Sequence, residues 1–151
     1  MVARTGREGK HLANVATLTT PSIAALREYV EGERYYRATQ SDSAVVRFKN
    51  AVTIDSTFAV AHYRLAMASL ENNDGPRAVR ATEAALRHGS GLSERDRRFI
   101  DALFSLVHGR AEEAEQRYRS LRADYPGDLE ATFQCRAAVG AVMTIERDWA
   151  C

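Results

Sequence analysis

From Pro21 onward, apolar residues recur every three or four positions in runs separated by short polar breaks. Leu26, Tyr29, Val30 and Tyr36 share one helical face with Glu33, and "TQSD" ends that run. Ala44, Val45, Phe48, Ala51 and Val52 form a second run, closed by "IDST"; Val60, Tyr63, Leu65, Ala66 and Leu70 form a third, closed by "ENNDGP". Ala78, Val79, Ala85 and Leu86 mark a fourth helix. Phe99, Ile100, Ala102, Leu103, Leu106 and Val107 mark a fifth, ended by Gly109. This period predicts amphipathic helices, and no period-two alternation argues for a strand. The fold class expected is all-α.

The start signals agree. Thr20 before Pro21 predicts a capped first helix, because a hydroxyl accepts from free N–H groups and proline suits the first turn. Ser93, three residues before Asp96, is a capping-box variant, and Asp128 caps a seventh helix carrying Leu129, Phe133, Ala137 and Ala138. The sixth helix has a sparse stripe of Ala114, Tyr118 and Leu121, with Pro126 closing it. So narrow a stripe is marginal alone and requires a partner helix.

A register links the even-numbered helices. Ala44, Phe48 and Ala51 match Ala78, Thr82 and Ala85, then Ala114, Tyr118 and Leu121, with spacings of 34 and 36 residues. Gly32, Ala66 and Ala102 stand twelve residues before the three alanines. Closely crossing helices need small residues where backbones meet, and a glycine within a helix costs about 1 kcal/mol against alanine. Gly32 is therefore expected at a crossing, opposite Ala44. A helix-turn-helix unit repeated at this period is the signature of a solenoid.

These residues resemble the tetratricopeptide repeat family, with its small residue in each helix, aromatic in the second and closing proline. The resemblance implies a right-handed solenoid over residues 21–134. Three repeats, about 25–58, 59–94 and 95–128, would be followed by a half-repeat from 129. Residues 1–20 are expected to be a flexible lead-in, and 135–151 a helix end or truncated tail. The chain departs from the family where a first-helix aromatic is expected, at Glu28, His62 and Arg98. The family's leucine survives only as Leu65, against Glu31 and Asp101, and its proline only as Pro126. "LTTPSIAALREYVEG", "GLSERDRRFIDAL" and "YPGDLEATFQ" are similar to the C-terminal repeat region of bacterial serine/threonine kinases and transcriptional regulators. No kinase motif occurs in the chain itself.

Composition changes this picture little. The 151 residues carry 21 basic and 20 acidic side chains, so no global field recruits nucleic acid or anionic lipid. The basic arm Arg4, Arg7 and Lys10 is the one feature favouring nucleic acid. Gly6, Gly9 and Lys10 lack the spacing of a phosphate loop. No apolar run approaches the roughly 20 residues of a membrane span. Cys135 and Cys151 lack metal-ligand spacing and read as reduced thiols in a cytoplasmic protein.

No catalytic, cofactor or metal-ligating residues are expected. His11, His62, His88 and His108 lie apart in sequence and read as surface or capping groups. "SERDRR" alternates in sign, and Glu112, Glu113 and Glu115 lie beside Arg117 and Arg119, the pattern of a solvated face. What remains is a binding surface for a protein or peptide, with no small-molecule substrate. The resemblance implies a concave groove on the first helices, presenting Leu26, Tyr29, Glu33, Tyr36 and Arg37. Val60, Tyr63, Met67, Leu70 and Glu71 would follow from the second repeat, and Phe99, Leu103 and Leu106 from the third. Tyr29 and Glu33 occupy two sites where some relatives clamp a chaperone's terminal carboxylate, which disfavours that ligand. The function expected is a non-enzymatic interaction module, or alternatively the regulatory part of a larger signalling protein contacting its own effector domain.

Overall fold

The computed structural model describes residues 20–142, with side chains to residue 135. Among the described residues every regular element is helical. They are α1 (Ile23–Arg37), α2 (Ser41–Ile54), α3 (Ala59–Glu71), α4 (Gly75–His88), a 3-10 turn (Gly89–Gly91), α5 (Glu94–Val107), α6 (Ala111–Asp124) and α7 (Leu129–Val142). The all-α expectation holds for these residues.

Two compact units divide between Gly91 and Leu92. In the first, α1 packs on α2, α2 on α3 and α3 on α4; in the second, α5 packs on α6 and α6 on α7. The N-terminal lead-in and the final nine residues lie outside the described residues.

One turn is built three times. After α1, α3 and α5, the residues Thr39, Asn73 and Gly109 take left-handed backbone at φ +56°, +56° and +74°. Their N–H groups donate to Tyr36, Leu70 and Leu106 carbonyls at 3.0 Å. The following N–H groups, of Gln40, Asp74 and Arg110, reach back to Tyr35, Ser69 and Ser105 at 3.0, 2.8 and 2.9 Å. This paired closure satisfies carbonyls that a helix end leaves orphaned. Each left-handed residue stands five before its alanine, so the turns repeat at the same 34 and 36.

The return turns match as well. Asp55 N–H donates to Ala51 and Tyr125 N–H to Leu121, both at 2.9 Å. The two residues added in the middle repeat fall near the 3-10 turn after α4.

The alanine register is the core. Ala44, Phe48 and Ala51 are fully buried; so are Ala78, Thr82 and Ala85, and Ala114, Tyr118 and Leu121. Thr82 is tolerated there because its hydroxyl donates to the Ala78 carbonyl at 2.8 Å. Ala66 and Ala102 are likewise fully buried. Gly32 is at a close contact, but its nearest neighbour is the Phe48 ring rather than Ala44: a Cβ on Gly32 would lie 2.6 Å from two ring carbons.

The polar residues at the expected aromatic positions have local reasons. Glu28 accepts from Asn50 at 3.0 Å and pairs with Arg47 at 3.2 Å, both on α2. Arg98 donates to Ser120 at 2.9 Å and Asp124 at 2.7 Å, both on α6. In these two hairpins a hydrogen bond to the second helix stands where apolar packing was expected, and Asn50 and Ser120 hold equivalent positions.

Two further expectations are corrected and one holds. The first helix is capped by Ser22, whose hydroxyl accepts from Ala25 N–H at 3.2 Å. Thr20 is instead buried and donates to Asp55 at 2.5 Å, while accepting from Ser22 N–H. Cys135 is fully buried and disulfide-bonded, so it is not the reduced thiol expected. Asp128 does cap α7, accepting from Glu130 and Ala131 N–H at 2.9 and 3.1 Å.

Candidate interaction surface

The first helices of the first unit carry the groove candidates, and burial sorts them. Tyr29, Glu33, Tyr63 and Met67 are buried; Tyr36 is half-buried; Arg37 and Glu71 are exposed. Tyr29 packs its ring 5.8 Å from Phe48 and 5.2 Å from Phe58, which makes it core. Leu26, Val60 and Leu70 are half-buried. In the second unit, Phe99 and Leu103 are buried, with Phe99 6.3 Å from the Tyr118 ring, and Leu106 is half-buried.

A charged pair lies among these rings. Glu33 of α1 is within 2.7 Å of Arg64 Nε on α3, with side chains only 5% and 10% exposed. The Arg64 guanidinium lies 5.9 Å from the Tyr36 ring centre and 5.6 Å from that of Tyr63. Such contacts favour a cation on an aromatic face. Arg37, exposed one turn beyond Glu33, approaches its other oxygen at 3.7 Å. Arg64 escaped sequence reading because it stands 31 residues from Glu33, and neither run alone signals a pair.

Arg37 and Glu71 occupy equivalent positions in α1 and α3, 34 residues apart. Glu71 accepts from Ser41 at 2.5 Å, and Asn72 donates to Asp42 at 2.7 Å. Beside them lies an open polar depression of about 390 Å³, lined by Thr39, Gln40, Ser41, Asp42, Ser43 and Asn72. The surface therefore combines exposed charge with half-buried apolar and aromatic groups.

Two histidines far apart in sequence meet in space. The rings of His62 and His88 stack at 6.1 Å, and His62 Nε2 lies 2.8 Å from the Ser56 carbonyl. Burial pushes the His62 pKa down, with help from His88 and Arg87, against the Ser56 hydrogen bond and Asp55.

In the second unit, Arg95 joins Asp128 at 2.5 Å and Asp96 at 2.6 Å, and lies 4.6 Å from the Phe99 ring. Burial raises the Asp128 pKa, but Arg95 and the α7 amides outweigh it and hold the carboxyl below its ordinary range. Arg110 and Arg117 pair with Glu113 at 3.3 and 2.7 Å, and Arg119 with Glu115 at 2.5 Å, the solvated face expected of α6.

Among the described residues, no group of three or more His, Cys, Asp or Glu side chains is placed to hold a metal ion. No helix among them is long and apolar enough to cross a membrane. The basic arm Arg4, Arg7 and Lys10, with Gly6, Gly9 and His11, lies outside the described residues. No protein-family model and no curated protein matches the chain.

Proposed function

We propose that the chain is a tetratricopeptide-like, non-enzymatic interaction module that binds a peptide or partner domain on its first helices. The observation that carries this reading is the threefold hairpin: one left-handed turn, one buried alanine and one shared register, at 34 and 36 residues. Hairpins repeated in this way display equivalent side chains in a row, and extended repeat surfaces suit extended ligands. Within the first unit Tyr29, Tyr63 and Met67 are buried, so the contacting groups there are Tyr36, Arg37, Leu70 and Glu71. The resemblance of the quoted segments to bacterial kinases and regulators supports a signalling role.

The test uses the full chain, immobilised beside an R37A/E71A variant. Both residues are exposed, so thermal melts are expected to coincide. A protein retained by the parent chain and depleted by the variant supports the groove. Identical retained sets by quantitative mass spectrometry overturn it.

A further inference from the structure

The outward face of α1 carries a stripe that the groove reading does not use. Ile23, Arg27, Val30 and Arg34 follow one another at intervals of four, three and four residues. That spacing aligns them along one side of a helix, opposite the buried Ala25, Tyr29 and Gly32. Ile23 is 71% exposed and Val30 50%, high values for β-branched side chains that lose contact energy in water. Arg27 and Arg34 are also exposed.

The charges are available. Arg27 forms no ion pair among the described residues, and Arg34 is held by Glu31 at 2.7 Å in a pair 66% and 43% exposed. Exposed pairs of that kind contribute about 0–1 kcal/mol, so a better-placed carboxylate can redirect Arg34. Spacings of four, three and four place all four residues in one seam, where the two arginine stems reach past the apolar pair toward carboxylates that flank a partner helix's own seam.

We propose that this face docks an acidic amphipathic helix. Its apolar residues would cover Ile23 and Val30, and its glutamates or aspartates would pair with Arg27 and Arg34. Charge complementarity selects this occupant. The chain's own residues 1–19 carry Arg4, Arg7 and Lys10 against a single acidic residue, Glu8, and would meet the arginines with like charge.

The test is fluorescence anisotropy with the full chain and two labelled synthetic helices that share a leucine seam. One helix carries glutamate at the flanking positions, the other lysine. The glutamate helix is expected to bind and the lysine helix to fail. Arg27→Glu with Arg34→Glu should weaken the first by on the order of tenfold or more and admit the second, because flanking charges set partner choice. Val30→Ser should weaken binding to the glutamate helix without reversing the preference. All four residues are exposed, so circular dichroism melts should stay cooperative; Arg27→Ala with Arg34→Ala is the milder pair if the reversal disturbs folding. No binding of the glutamate helix, equal binding of both helices, or no effect of either arginine pair overturns the proposal. Self-association of the parent chain abolished by Val30→Ser would make a second copy the occupant, and overturns it equally.

Discussion

The ring of Phe48 fills the space in which a side chain on Gly32 would have to sit, with ring carbons 2.6 Å from the position of a Cβ. Phe48 is fully buried and held by the rings of Tyr29 at 5.8 Å and Tyr36 at 6.5 Å, so it has little room to retreat. Gly32→Ala should gain up to about 1 kcal/mol of helix propensity and lose about 1–3 kcal/mol to overpacking. The expected outcome is net destabilisation in chemical denaturation. Gly91, with nothing within 4 Å, is the control, and Gly91→Ala should stay within about 0.5 kcal/mol of the parent.

The left-handed turns make a paired prediction. Thr39 is β-branched and sits at φ +56°, where its side chain crowds the backbone. Thr39→Gly should stabilise the chain by about 0.5–1 kcal/mol, by removing strain that exceeds the entropy glycine adds to the unfolded chain. At the equivalent place in the third hairpin, Gly109→Val should cost about 1–2 kcal/mol. Opposite shifts of the two denaturation midpoints are the expected result.

The pair Glu33 and Arg64 is largely withdrawn from water on both sides. Removing one partner leaves the other charge in a poorly solvated place, at a cost of about 3–5 kcal/mol when burial is complete. Arg64→Leu is therefore expected to lower stability by roughly 3 kcal/mol. The Glu33→Leu, Arg64→Met double variant should recover most of that loss, because apolar groups of similar volume replace a pair costly to desolvate. Comparable losses in the single and double variants would show that the pair's charge is not what matters.

His62 gives the stability a pH dependence. Its folded pKa lies below the ordinary value of about 6.5, so the folded state takes up a proton less readily than the unfolded chain. The contribution is present above about pH 6.5 and is lost as pH falls toward the folded pKa. Asp55 and Asp128, both held below their ordinary range, lose their contributions in more acid solution. His62→Gln, which keeps a donor for the Ser56 carbonyl, should flatten the decline that begins below about pH 6.5 and leave the later, more acid one. Proton NMR should place the His62 titration below that of a free imidazole, and His88→Ala should raise it.

How far the sequence spoke depended on distance along the chain. Helix positions, the three buried alanines, and the caps at Ser93 and Asp128 were legible, because each rests on residues within a few turns. Thr20 lost the cap to Ser22 because Asp55, 35 residues away, engages its hydroxyl. The Glu33–Arg64 pair and the His62–His88 stack join helices whose separate patterns look ordinary. Core and groove residues share the first helices, so periodicity alone could not place Tyr29 among Phe48 and Phe58.

Because each hairpin closes through its own left-handed turn, its decisive contacts span a short stretch of chain. Closing a short loop costs little entropy, and domains dominated by such local contacts fold fastest. A chain emerging from the ribosome can therefore fold in instalments: the α1–α2 hairpin, with Phe48 seated against Gly32, is complete before α4 has been synthesised.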